Sequence, residues 1–318
     1  MKELTCILEH NDCWKKYHNF SVPLTGIVVH STDKAGGVIR RFVQPYSGQT
    51  SGLAEDGVPV GYDRMIALLG KNSYDNDWNR SGMDVCVHAF LGKIADGSYA
   101  ACKTLDWTQP CWGAGAGKNG SYNGCLNGKA QAPLYIQFEM IEDSVGSKAH
   151  CTALYNLAVE FCARRMYEYP TIKINNVVSH HEAYLRGYAT NHGDPESYWQ
   201  RCGTTYTMDG FRRDVQTLLK ELEEYDGMTK AEFEAIIDER ASKIADEKIR
   251  AYFSVLNTND AGSWSRDARA WATETGLING IGKLPDGKTN YAWPAYVSRE
   301  QLVTILYRQE LAGIVEDV

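Results

Sequence analysis

The sequence has no long hydrophobic run, no closely spaced cysteine pair and no surplus of basic residues, and each absence removes a class of function. No stretch approaches the roughly 18 consecutive apolar residues that a membrane-spanning helix needs, so the chain is not expected to cross a membrane. Lys and Arg number 33 against 40 Asp and Glu, a formal net charge of -7. Phosphate recognition depends on clustered cations that release counterions, and nucleic acid is therefore not an expected partner. The nine cysteines are odd in number, all fall between Cys6 and Cys202, and none forms a C-x-x-C pair. That sets aside thiolate zinc sites and redox motifs and leaves reduced, buried thiols as the expectation. The opening MKELTCILEHNDCWKK is broken by Glu3, Glu9, His10, Asn11 and Asp12. It lacks the apolar core of a secretory leader, so synthesis in the cytoplasm without a signal peptide is expected.

What is present is enough chain for more than one domain: 318 residues, 43% hydrophobic and 23% charged, with room for a core that needs no disulfide or metal merely to fold. Residues 26–30 (GIVVH), 84–91 (DVCVHAFL), 134–140 (LYIQFEM) and 176–180 (NVVSH) read as strands, each short, β-branched or aromatic, and bounded by polar residues or glycine. Between the last two, Cys151, Leu154, Leu157, Ala158, Phe161, Cys162 and Met166 recur at helical spacing, predicting a core helix over 148–167. A further helix is expected over 211–222 with Asp209 as N-cap, and a short one over 62–69 inside a long loop-like stretch, 43–79. Strands and helices without strict alternation predict an α/β domain with a central mixed sheet flanked by helices.

Composition shifts after Tyr225. Residues 228–256 are charge-rich and helix-favouring and open with a Thr229 to Glu232 capping box; a solvated connector and a two-stranded pairing helix, making a homo-oligomer, both remain open. The last segment has helices expected over 265–275 and 298–309, the second opened by Ser298 and Gln301. So small a piece must lean on a neighbour or on copies of itself, and no internal repeat supplies one. The organisation expected is therefore a large domain over 1–225, a connector helix over 226–256 and a small, mostly helical module over 257–318.

Three histidines end or interrupt the apolar runs, His30, His88 and His180, and the stretch NHGDPESYW places His192 and Asp194 around a Gly-Pro turn. A single strand histidine is most often a satisfied core residue. A catalytic zinc, however, takes three nitrogen or carboxylate ligands from strand ends and loops and leaves a fourth position open. His30, His180 and Asp194 have the residue types for that set, although ligands so far apart leave no compact signature.

Taken together, GIVVHST, VCVHAFLGKIADG, WGAGAG, YIQFEM, VVSHHEAY and NHGDPESYW resemble, in order, the zinc-dependent N-acetylmuramoyl-L-alanine amidases of type 2, which have the peptidoglycan-recognition-protein-like fold. The likeness is greatest to endolysin-type members and covers roughly residues 1–205. It implies that His30, His180 and Asp194 hold Zn2+, that Glu139 is the general acid and base, and that His192 stabilises the oxyanion of the tetrahedral intermediate. It implies as substrate the peptidoglycan of a bacterial cell wall, cut between N-acetylmuramic acid and L-alanine, as by a phage or prophage lysis enzyme. The chain departs from the family at Gly113, where many members carry histidine, which suggests altered substrate contact. His88 is expected to be structural.

Residues 271–308 resemble one surface-layer-homology repeat, which implies a module that grips a cell-wall polymer. Trp264, Trp271 and Trp293 are available to stack on sugars, though in so small a module tryptophan is more often core. Two rival functions stand beside the hydrolase. One is a non-catalytic peptidoglycan-binding module of the same fold, against which the presence of His30, His180, Asp194 and Glu139 argues. The other is an assembly protein organised by the 228–256 helix, which accounts only for the tail.

Overall fold

A computed structural model describes residues 1–33, 35–55, 57–117, 126–129, 132–226 and 263–293, with scattered positions between 239 and 261 and at 305–306. The connector expected over 226–256 and the last helix expected over 298–309 lie almost wholly outside the described residues. The chain divides into two units, Met1–Gly227 and Met228–Val318. No described helix is long and apolar enough to cross a membrane.

The first unit is built on an eight-stranded mixed sheet flanked by helices. In chain order its strands are β1 (Lys2–Thr5), β2 (Leu24–Ser31), β3 (Gly52–Leu53), β4 (Pro59–Val60), β5 (Ala89–Lys93), β6 (Tyr99–Lys103), β7 (Leu134–Met140) and β8 (Val177–Ser179). They lie in the order β4-β3-β1-β6-β5-β7-β2-β8. β2 is parallel to both β7 and β8, and β5 is parallel to β7 but antiparallel to β6. The helices are α1 (Asp12–Tyr17), α2 (Tyr62–Leu69), α3 (Lys148–Glu168), α4 (His180–Leu185), α5 (Glu196–Arg201) and α6 (Met208–Asp226).

Side chains alternate across a strand, and β2 and β7 use the alternation to separate two environments. Ile27, Val29, Ile136, Phe138 and Met140 share one apolar cluster with Leu154, Ala158 and Phe161 of α3 and Phe211 and Val215 of α6. Val28, His30, Gln137 and Glu139 take the opposite face. The strands approach closely at Gly26, where a Cβ would lie 2.3 Å from the Tyr135 ring and 2.4 Å from the Asn176 carbonyl oxygen. Only glycine fits there.

Elements depart from the sequence-based expectation in physically readable ways. The strand expected over 84–91 begins at Ala89, because the His88 amide and ring are engaged by Gln137 and Gln109. Asp209 does not cap α6. The Thr207 hydroxyl accepts the Gly210 amide at 3.1 Å instead, leaving Asp209 in the first turn, paired with Arg212 at 2.7 Å. The cysteines are not all reduced. Cys13 and Cys86 are joined as a disulfide across 73 residues, a pairing that sequence spacing does not reveal, while Cys6, Cys102, Cys111, Cys151, Cys162 and Cys202 are free and buried.

In the second unit, α7 (Arg266–Glu274) ends before Gly276, whose φ of 72° lies in the left-handed region favoured after a helix. A two-residue pair, β9 (Gly282–Lys283) and β10 (Thr289–Asn290), follows. Trp264 is 91% and Trp271 42% exposed, so neither belongs to a core, contrary to the expectation for tryptophan in so small a module. Trp293 stacks on Tyr291 at 5.2 Å.

Candidate metal centre

Because β2 and β8 are parallel neighbours, their C-terminal ends open at the same edge of the sheet, where open α/β sheets place their ligand sites. His30 stands next to last on β2, and His180 is the first residue after β8. The turn that delivers it is a capping box. The Ser179 hydroxyl accepts the Glu182 amide at 2.9 Å, and the Glu182 carboxylate accepts the Ser179 amide at 3.2 Å. The strand thus stops one residue earlier than expected and His180 opens α4. Its Nδ1 lies 2.9 Å from Nδ1 of His30, the rings meeting edge to face.

Asp194 arrives from the turn before α5. The His181 amide donates to its carbonyl oxygen at 3.2 Å and the Ser31 amide to its Oδ2 at 3.1 Å. Its carboxylate oxygens stand 3.6 Å from His30 Nδ1 and 3.7 Å from His180 Nδ1. One ligand atom from each of the three residues lies within 4.8 Å of the others. Ligands about 2.0–2.1 Å from a tetrahedral zinc stand about 3.3 Å apart; the two Nδ1 atoms are 2.9 Å apart, and the carboxylate meets them through separate oxygens, Oδ2 at 3.6 Å from His30 and Oδ1 at 3.7 Å from His180. Two imidazole nitrogens and one carboxylate oxygen also match zinc's ligand chemistry.

The protonation states suit metal binding. Burial, reinforced by the neighbouring His30, pushes His180 down to about 3, so its ring is neutral near pH 7. Thr190 decides which nitrogen carries the lone pair. Its hydroxyl donates to the Ala114 carbonyl at 3.3 Å and therefore accepts from His180 Nε2 at 3.2 Å, leaving Nδ1 unprotonated. For Asp194, burial alone would raise the carboxyl, but hydrogen bonding to His30, both imidazoles and the Ser31 amide hold it below the usual range.

Glu139 sits beside His30 in the β2–β7 register, on the same face. It is half-buried, and its Oε2 is shut away from solvent without a hydrogen-bond partner. Burial, then the charges of Asp194 and Glu142, push it well above the ordinary carboxylate value. An acid held this way next to a ligand cluster is placed for proton transfer. His192 is largely exposed; its ring stacks on that of His180 at 4.5 Å, with Nδ1 3.8 Å from Asp194 Oδ1. The five candidate residues are thus brought to one place.

His88 stands apart. Its Nδ1 accepts the Gln137 amide at 3.0 Å, its Nε2 donates to the Gln109 carbonyl at 2.9 Å, and burial lowers it to about 4. Both nitrogens are spent on backbone. Gly113 is closely packed on one side. A Cβ there would lie 2.3 Å from Gln137 Oε1 and 2.7 Å from Val87, so close packing excludes a larger residue. Sequence reading missed Thr190, Ser31 and Ser179. The only sequence signal was a serine adjoining each candidate ligand histidine, too common a dipeptide to stand out.

No family model and no curated protein matches the chain. Among solved structures it is similar to that of PlyL, at 14% identity and a TM-score of 0.37, covering 68% of this chain and 96% of that one. It is similar to a mutant endolysin from Bacillus subtilis at 13% identity and a TM-score of 0.39, over 67% and 97% of the respective chains. For the Staphylococcus aureus hydrolase AmiA in complex with its ligand, the figures are 21% identity, a TM-score of 0.34, and 63% and 74%.

Proposed function

We propose that this chain is a zinc-dependent peptidoglycan hydrolase that cleaves the amide between N-acetylmuramic acid and the L-alanine of the stem peptide. The observation that carries the reading is the convergence of His30, His180 and Asp194 within 4.8 Å, with Glu139 in register beside His30. The choice of bond comes from the six ordered motifs.

His30 Nδ1, His180 Nδ1 and one Asp194 oxygen would hold the ion. When bound, zinc supplies Lewis acidity, polarising an amide carbonyl and easing the ionisation of water. Glu139 takes the proton from the attacking water at its carboxylate and returns it to the departing nitrogen, a role its half-buried, unpartnered oxygen leaves it free to perform. His192, exposed beside the ligands, donates to the developing oxyanion. Thr190 keeps His180 in one tautomer throughout. In the second unit, the exposed Trp264 and Trp271 are the side chains offered to a cell-wall polymer.

The test uses the purified chain on isolated cell walls, with newly released amino termini measured before chelation, after it, and after zinc is restored. Release should stop with chelator and return with zinc. His30→Ala should lose the metal, whereas Glu139→Ala should keep it and lose turnover. Release that chelation leaves untouched, or hydrolysis retained in Glu139→Ala, overturns the mechanism. Wall binding without release would identify a binding module instead.

A further inference from the structure

Asp194 leads directly into α5, and this short helix is tied at both ends to the segments that carry the two histidines. At its start, Glu196 Oε1 accepts a 2.6 Å hydrogen bond from the hydroxyl of Ser179, the residue before His180. At its end, Arg201 pairs with the buried Glu142, whose Oε1 accepts a 2.9 Å hydrogen bond from the hydroxyl of Ser31, the residue after His30. Between the ties, Tyr198 and Trp199 are fully buried, the Trp199 ring lying 5.6 Å from Tyr155 of α3 and 6.0 Å from Phe211 of α6. α5 is therefore fixed against both sliding and rolling. The far side of the frame is held as well. Arg212 of α6 grips Glu182 through two hydrogen bonds of 2.8 and 3.0 Å and the Val177 carbonyl at 3.0 Å, locking β8 to α4.

The two ties are alike in construction. Each ligand histidine adjoins a serine, and each serine hydroxyl gives its single proton to a glutamate. Ser179 also accepts the Glu182 amide, so its hydroxyl is fully engaged. Main-chain bonds from Ser31 and His181 to Asp194 finish the frame.

We propose that α5 is a positioning helix, in which Glu196 and Arg201 set the Asp194 carboxylate against His30 and His180 before any cation arrives and so raise the affinity of the site for its metal. The inference rests on the zinc reading above. Asp194 lies on a turn, and holding a turn residue in one conformation has an entropic cost. If folding has already met that cost, metal binding does not meet it again. Neither positioning residue touches the ion, so each acts through the residue next to a ligand.

The full chain, stripped of metal, is titrated with Zn2+ against a chromophoric chelator and with Co2+ by visible absorption. Wild type is compared with Glu196→Ala, Arg201→Ala and Glu3→Ala. The last removes a partner of buried Arg165, an ion pair on α3 away from the ligand-bearing segments. Glu196→Ala and Arg201→Ala should each bind zinc about 10- to 100-fold more weakly and give an altered cobalt spectrum, while the circular dichroism of the stripped protein is unchanged. Glu3→Ala should lower the melting temperature and leave zinc affinity and the cobalt spectrum as in wild type. Should a truncation fail to fold, Glu196→Gln or Arg201→Lys replaces it, again with weaker zinc binding expected. A wild type that binds zinc alongside folded variants of equal affinity overturns the positioning role and leaves the metal reading intact. A wild type that binds no zinc overturns both.

Discussion

Phe138 and Glu139 are neighbours on β7 and face opposite worlds. The Phe138 ring is fully buried 4.8 Å from Phe161, in a cluster dominated by aliphatic and aromatic side chains. Glu139 looks across at His30, and the same face carries Gln137. One face gains stability from area removed from water, about 1.5–3 kcal/mol for each fully buried large side chain. The other includes polar atoms that lack partners, Glu139 Oε2, Gln137 Oε1 and His30 Nε2 among them, which costs stability. The contrast teaches that the apolar face is what allows the polar one to stay poorly satisfied and therefore reactive.

The two residues of that pair should fail in opposite ways. Glu139→Gln keeps shape and removes the proposed proton carrier. Turnover on cell walls should fall by about 10²- to 10⁴-fold, with the melting temperature unchanged or raised because a poorly placed acid is gone. Phe138→Ala should cost about 3–5 kcal/mol in denaturant unfolding, while the folded fraction binds added Zn2+ as wild type does. If Glu139→Gln unfolds the protein, or Phe138→Ala is silent, the division of labour between the faces is broken.

How much of this could be read beforehand follows the same division. β7 and α2 have the bounds expected from sequence, and α3 differs by one residue, because apolar period and flanking polar residues define them locally. β1 and β6 were not foreseen. Lys2–Thr5 is only four residues long and becomes a strand by pairing with β6 in the finished sheet. His30, His180, Asp194, Glu139 and His192 could be named from motif order, but their spacing could not show that they meet. That meeting depends on β2 and β8 being adjacent and parallel, a tertiary fact. The ties through Thr190, Ser31 and Ser179 were illegible for the same reason, since a hydroxyl reveals its partner only once the chain is folded.

A smaller effect makes a buried histidine outside the candidate site sensitive to pH. His88 takes a proton in the folded protein only near about 4, against about 6.5 in an unfolded chain. Between those values the unfolded state binds more protons, so the contribution is present in full above about pH 6.5 and is lost progressively as pH falls, by about 3 kcal/mol at most. NMR titration of the stripped protein should find the His88 ring neutral down to about pH 5. A midpoint near the ordinary value of about 6.5 would mean that the ring is not committed to the Gln137 amide and Gln109 carbonyl.

The smallest effect asks whether the polar face is as closely packed as the apolar one. Gln137 Nε2 reaches the Leu126 carbonyl at 3.1 Å and Asn127 Oδ1 at 2.9 Å, and Asn127 in turn holds the Gly115 carbonyl at 2.6 Å. The same loop supplies the Ala114 carbonyl that fixes Thr190. A methyl at Gly113 would meet Gln137 Oε1 at 2.3 Å and push this loop outward. Gly113→Ala should therefore destabilise by about 1–3 kcal/mol. In a Gln137→Ala background only the Val87 contact at 2.7 Å remains tight, and the cost of the methyl should shrink by at least about 0.5 kcal/mol. Equal costs in the two backgrounds would show that the polar face yields freely, and that its polar groups owe their placement to the strands alone.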